Sequence, residues 1–180
     1  MSDTNPTPVA HIATKHHIEQ YIRQKTQGTG MSWTFLRPVT FMDNLTPDFA
    51  GKGFAAMWNQ VGSKPIQLVA ASDIGVFAAK SLLSPQLYSG KAIGIAGDEL
   101  NFKQAEEVFK KEMGVDMPTT FCAVGSVLKI AMKDIGSMFK WFEKDGYGVD
   151  IGKVRKEYPE LMDFGTWLRK TSGFKKVGEK

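Results

Sequence analysis

The chain has 180 residues, 42% of them apolar, with 12 Phe and 4 Trp; that is enough to bury a core, and it excludes a disordered chain. The net charge of +4 is spread among acidic and basic residues, with a lysine surplus only at Lys175, Lys176 and Lys180; this marks a solvated surface and not a nucleic-acid-binding face. Cys122 is the single cysteine, which excludes an intramolecular disulfide and a cysteine-based zinc cluster. No apolar run reaches the ~20 residues needed to cross a bilayer.

Residues 1–10 are polar and contain prolines, without the charged start and apolar stretch of a signal peptide, so the expected location is the cytosol, with the nucleus also open. A loop is expected up to Val9, then a helix from Ala10 to Gln27 with Ile18, Tyr21 and Ile22 on its buried face, ended by Gly28-Thr29-Gly30. Ser32 to Arg37 reads as a buried strand stopped by Pro38. Phe41 to Gln60 reads as short helical pieces and loops. Ile66 to Ala70 is a second strand, followed by a helix that starts at Ser72 or Asp73, carries Ile74, Phe77, Ala78 and Leu82 inward, and closes at Pro85. Ala92 to Ala96 is a third strand. Asn101 caps the next helix, with Gln104 in capping-box position, Ala105, Val108, Phe109 and Met113 facing the core, and Gly114 as the stop. Helices are then expected over Val124 to Ile135, around Met138, Phe139 and Phe142 up to Gly146, and around Tyr158, Leu161, Phe164, Trp167 and Leu168.

Strands and helices in this order give an α/β fold. Three short strands are few for a doubly wound sheet, whose parallel strands are covered on both faces.

Three segments could carry chemistry. In His11-Ile-Ala-Thr-Lys15 a proton donor and an ammonium share one helix face; the same spacing also suits a solvated surface. Arg37-Pro38-Val39-Thr40-Phe41-Met42-Asp43-Asn44 follows a strand end, where open α/β sheets bind ligands, although a plain turn with Asp43 and Asn44 as caps has the same pattern. Val69-Ala-Ala-Ser-Asp73-Ile74-Gly75 runs from strand to helix, and its aspartate suits the helix dipole. His16 and His17 are adjacent on a helix and point apart, so no metal site is expected. Cys122 has no basic partner nearby and is expected to be buried and inert. No glycine-rich dinucleotide fingerprint follows a strand anywhere.

Together these segments resemble the NmrA-like family, which belongs among the atypical short-chain dehydrogenases. The resemblance runs from His11 to Leu168. It also rests on Trp33-Thr-Phe-Leu-Arg-Pro38, on Gly90-Lys-Ala-Ile-Gly-Ile-Ala-Gly-Asp-Glu-Leu100, on Met138-Phe-Lys-Trp-Phe-Glu-Lys-Asp-Gly-Tyr147 and on Phe164-Gly-Thr-Trp-Leu168. It implies a partial NAD(P)-binding Rossmann-type fold with a mainly helical C-terminal lobe. The expected layout is a loop over 1–10, a Rossmann portion over about 11–85, a lid lobe over about 86–172, and a basic tail over 173–180. It further implies that this is the C-terminal part of a longer protein whose glycine-rich half is absent.

By the same resemblance Lys15 would touch the nicotinamide ribose of NADP or NAD. Phe41, Met42, Asp43 and Asn44 would form the loop beside the nicotinamide, and His11 would occupy the slot of the catalytic tyrosine. The implied function is a redox-sensing regulator with a dinucleotide ligand, a regulatory protein partner and room for a homodimer. The alternatives are an NAD(P)H-dependent reductase of the isoflavone or quinone reductase type, with Lys15 and His11 catalytic, and a fragment that only mediates protein contacts. Weak dinucleotide binding by this chain alone is expected, as are marginal stability and an unpaired edge on the strand at Ser32 to Arg37.

Overall fold

The computed structural model describes residue 7, residues 9–121, residue 125 and residues 133–178. Helix α1 (Ala10–Thr26) ends where Gly28 turns left-handed at φ 71°. Strands β1 (Thr34–Pro38) and β2 (Thr40–Phe41) follow, joined through Val39, then a 3-10 turn (Met42–Asn44) and α2 (Phe49–Asn59). Next come β3 (Ile66–Val69), α3 (Ala71–Leu83), the short α4 (Pro85–Tyr88), β4 (Lys91–Ile95) and β5 (Asp98–Leu100). The remaining described helices are α5 (Phe102–Met113), α6 (Lys133–Lys144), α7 (Ile151–Glu157) and α8 (Phe164–Lys170).

The strands form two ladders. β1 runs parallel to β4, pairing Thr34 with Lys91 and Pro38 with Ile95. β2 runs parallel to β3, and β3 is antiparallel to β5. Two bonds knit the ladders together, Val39 N–H to Ile95 O at 3.2 Å and Gly97 N–H to Leu68 O at 2.7 Å. Strand pairing therefore joins residues on both sides of position 85. One apolar cluster packs β3 against α2, α5, α6 and α8 around Trp58, Phe109, Phe139 and Trp167. A second lies under Val39, Val69 and Ile95, and is closed by Phe77 and by Val154 of α7. The parallel βαβ connection through α2 and the helices against the strands make this an α/β, Rossmann-like arrangement.

Several expectations change. β5 was not foreseen, because Asp98-Glu99-Leu100 is short and polar, and its pairing to β3 is a tertiary choice. β1 is half-buried along its length and not fully buried. On α1 the residues turned inward are His16, Glu19 and Thr26, while Ile18 and Tyr21 are 47% and 60% exposed. On α3 only Phe77 of the expected stripe is fully buried, and Leu82 is exposed.

Helix α3 starts at Ala71, one residue earlier than foreseen, and its N-terminus is served from a distance by the Asp43 carboxylate, which accepts from Ala71 N–H at 2.8 Å. Pro85 opens α4 as well as ending α3. Residues 49–59 form one continuous helix despite Gly51 and Gly53, since Gly51 is required there: a Cβ would lie 2.1 Å from the Thr46 carbonyl oxygen. The capping box on α5 is present as foreseen, with Asn101 accepting from Gln104 N–H at 3.0 Å and Gln104 from Asn101 N–H at 2.9 Å. The helix expected over 124–135 falls mostly outside the described residues, as does Cys122. Among the described residues no helix is long and apolar enough to cross a membrane.

Candidate functional site

A cleft of about 1260 Å³ opens beside β1. Its walls are α1, the strands β1 and β4, and the segment from Tyr147 into α7. Strand alternation builds one wall. Trp33, Phe35 and Arg37 point toward α1, where the Arg23 guanidinium sits 4.4 Å from the Trp33 ring centre and 5.3 Å from that of Phe35. Arg37 donates to Glu19 through Nε, at 3.0 and 3.2 Å to its two carboxylate oxygens, and also through Nη2. Both side chains are 15% exposed or less. This bidentate pair clamps α1 to β1, so the Arg37 charge serves the scaffold.

Lys15 is exposed on α1 and lines the cleft, and among the described residues it has no ion-pair partner. His11 lies one turn before it on the same helix, but its side chain is outside the described residues. Phe41, 38% exposed at the end of β2, lines the cleft as well. The other residues of that loop go elsewhere. The Met42 side chain, 1% exposed, belongs to the core. Asp43 caps α3, and Asn44 is exposed beside the 3-10 turn closed by Leu45 N–H to Met42 O at 2.9 Å. Thus Lys15 and Phe41 meet in one cleft, while Met42 and Asp43 hold the turn that carries Phe41.

The Val69-to-Gly75 segment is scaffold. Asp73, 1% exposed, accepts from Met162 N–H at 2.9 Å. Burial pushes its carboxyl above the ordinary range, opposed by that bond and by Arg155. Arg155 in turn donates to Leu161 O at 2.7 Å and Gly97 O at 2.9 Å. Asp73 lies in the first turn of α3, as expected, and also anchors the chain between α7 and α8. His16 is buried and His17 exposed, and among the described residues no three His, Cys, Asp or Glu side chains converge as for a metal.

Two features of the cleft went unread in the sequence. At one rim the Tyr88 hydroxyl donates to Glu157 Oε1 at 2.6 Å, and burial, with Glu157 beside it, pushes the phenol up to about 12. At the end of β1 the wall includes Tyr147, between Gly146 and Gly148, both left-handed at φ 76° and 70°. The Gly-Tyr-Gly spelling was the available signal for the second; nothing local marks the first.

Comparison with known proteins places this arrangement. The chain is 30% identical over 96 residues to prestalk A differentiation protein A of Dictyostelium discoideum, an alignment covering 52% of this chain and 32% of that protein. It therefore spans about a third of the length of that relative. Among solved structures it resembles a nucleoside-diphosphate-sugar epimerase from Staphylococcus aureus, with TM-score 0.63 at 13% identity over 91% of this chain and 59% of that one. It also resembles NmrA, a negative transcriptional regulator, with TM-score 0.61 at 15% identity over 96% of this chain and 62% of that one. The same regulator in complex with NADP matches with TM-score 0.56 at 14% identity, over 89% of this chain and 57% of that one. At these identities the likeness shows the fold. The NmrA-like family model matches residues 2–168, and the chain belongs to the NmrA-like family.

Proposed function

We propose that this chain forms the nicotinamide-facing part of an NAD(P) site in a regulatory, redox-sensing protein. The observation that carries this reading is the meeting of the exposed Lys15 ammonium and the exposed Phe41 ring in one cleft beside the carboxyl end of β1, where open α/β sheets take their ligands. The solved complexes of NmrA with NADP and with NAD support it.

The residues fit one end of such a cofactor. Lys15 would donate to the ribose hydroxyls and Phe41 would lie against the nicotinamide ring, carried on the Met42–Asn44 turn that Asp43 fixes to α3. His11, one turn from Lys15 on the same helix, holds the family's tyrosine position. The dinucleotide, when bound, supplies the redox chemistry through its nicotinamide. The pyrophosphate end is different: no Gly-x-Gly-x-x-Gly fingerprint follows a strand in the sequence, so weak dinucleotide binding is expected of these 180 residues by themselves. A regulator working in the cytosol or nucleus would pass the cofactor's redox state to a protein partner.

Calorimetric titration with NADP and NADPH tests the reading. Weak binding that falls about tenfold in Lys15→Ala, as expected for loss of a charged hydrogen bond, supports it; Lys15→Ala binding as tightly as the parent overturns it. Steady NADPH consumption with quinone or enone substrates, abolished in Lys15→Ala, would make the protein a reductase instead of a sensor.

A further inference from the structure

We infer that the cleft holds, at the end away from Lys15, an elongated apolar molecule with one anionic head, its head at Lys91 and Lys153 and its body against Ile18, Ile22, Phe35 and Leu87. This ligand is a second occupant, beside the dinucleotide proposed above. The cleft of about 1260 Å³ exceeds the roughly 300–1,000 Å³ of ordinary small-molecule sites, so a nicotinamide ribose at one end leaves the rest of it open.

The apolar lining is the first observation. Ile18 and Ile22 are one turn apart on α1, and both line the cleft; Ile18 is 47% exposed and Ile22 half-buried. The core leaves this stripe uncovered. Phe35, which points toward α1, lines the cleft as well, and so does Leu87, 59% exposed. Large apolar side chains gathered in one concave place mark a surface that a ligand covers.

The charges are the second. Three acids line the cleft, and each is engaged. Glu19 pairs with Arg37, Asp150 accepts from Lys153 N–H at 3.0 Å, and Glu157 accepts from the Tyr88 hydroxyl at 2.6 Å. Lys15, Lys91 and Lys153 line it too, all exposed, and among the described residues their ammonium groups have no partner.

The fold sets these lysines apart. Arg23 meets Trp33 and Phe35 while Glu19 meets Arg37, so α1 runs antiparallel to β1. Lys15, one turn before Glu19, therefore lies beyond Arg37. Lys91 pairs with Thr34 at the other end of β1, about 13 Å along the strand. Lys153 belongs to the Lys91 end, because Glu157, one turn after it on α7, bonds Tyr88, three residues before Lys91. The chain entering α7 is fixed. The Gln67 side chain donates to Val149 O at 2.8 Å and accepts from Val149 N–H at 2.9 Å. Gly94 makes room for it, since a Cβ there would come within 2.8 Å of Val149 Cγ2. Burial of the ligand's body supplies the affinity, and the two lysines choose the sign of its head.

The test is titration of the full 180-residue chain with dodecanoate, dodecyl phosphate, dodecyltrimethylammonium and acetate, each below its micellar concentration. The first two are expected to bind, the tighter one naming the head, and the last two are not. Lys91→Gln with Lys153→Gln should weaken the bound anion about 5-fold, as for two exposed charge contacts. Ile18→Asp, at an exposed position, should weaken it 10-fold or more, about the loss of one buried side chain. Equal binding of dodecyltrimethylammonium would mean mere adhesion to apolar surface and would overturn the inference, as would an anion whose affinity ignores the two lysines. A parent chain that binds neither anion and is dimeric in light scattering, while Ile18→Asp is monomeric, would give the cleft to a second copy and overturn it too. NADP titrated in the same series separates the two readings. A chain that binds NADP through Lys15 but no amphipathic anion sinks this inference alone; the reverse result sinks the dinucleotide reading alone.

Discussion

At the scale of single residues, charge placement separates scaffold from site. Glu19 and Arg37 are both nearly buried and face each other. Removing one partner leaves the other charge desolvated, so Glu19→Ala should cost about 3 kcal/mol in urea unfolding; a loss near zero would mean that the pair is solvated. Asp73 behaves oppositely to most carboxylates. Its carboxyl is raised above 3.8 in the folded protein by burial, so it contributes stability that is full below pH 3.8 and is lost as pH rises through the raised folded value. Asp73→Asn keeps an acceptor for Met162 N–H without the charge. The variant should therefore gain on the parent as unfolding is measured from below pH 3.8 up to neutrality; a difference that stays flat with pH would contradict this. That Lys15 and Phe41 line one cleft was legible because their sequence neighbours carry the family pattern. The Asp43 cap and the Asp73 anchor were not, since each bonds a residue far along the chain, 28 and 89 positions away.

At the scale of elements, local rules held where the signal was local. The Asn101 and Gln104 box, the Gly114 stop at φ 78° and the inward Ala105, Phe109 and Met113 all follow from side chains within one helix. Asn101→Ala should cost about 1 kcal/mol, read as a lower thermal midpoint, and Asn101→Asp should restore most of it. Elements whose form depends on backbone contacts that no residue pattern spells out were misread. Helix α2 contains two glycines, yet Gly51 is there because the Thr46 backbone crosses it. Gly51→Ala, favourable by helix propensity, should instead destabilise by roughly 2 kcal/mol through overpacking. A stabilised variant in a urea series would show that the turn before α2 yields. The inner face of α1 was misjudged because its contact with β1 is made by Glu19 and Arg23, not by an apolar stripe.

At the scale of the whole molecule, the consequential feature is β1. Among the described residues it is laddered to β4 only, and it borders the large cleft. An open strand edge is a template for pairing with another chain. Purified protein should therefore show an apparent mass that rises with concentration in light scattering, and added NADP should lower that rise if the ligand and the second copy compete for the same face. A mass fixed at the monomer through high concentration would show that the edge is protected. The α/β class could be foreseen from the order of strands and helices; the division into two ladders could not, because Val39 and Gly97, which connect them, carry no sequence signature.

The Gln67 side chain reproduces, for Val149 alone, the paired N–H and C=O bonds that a neighbouring strand would offer. It works as a clasp one residue wide. A side-chain clasp of this kind can be released without unzipping any strand, while the Tyr147 ring next to it stays packed against Trp141 and Phe142. Gln67→Glu would replace the donor with a second acceptor facing the Val149 carbonyl and open that clasp, leaving the β2–β3–β5 ladder intact.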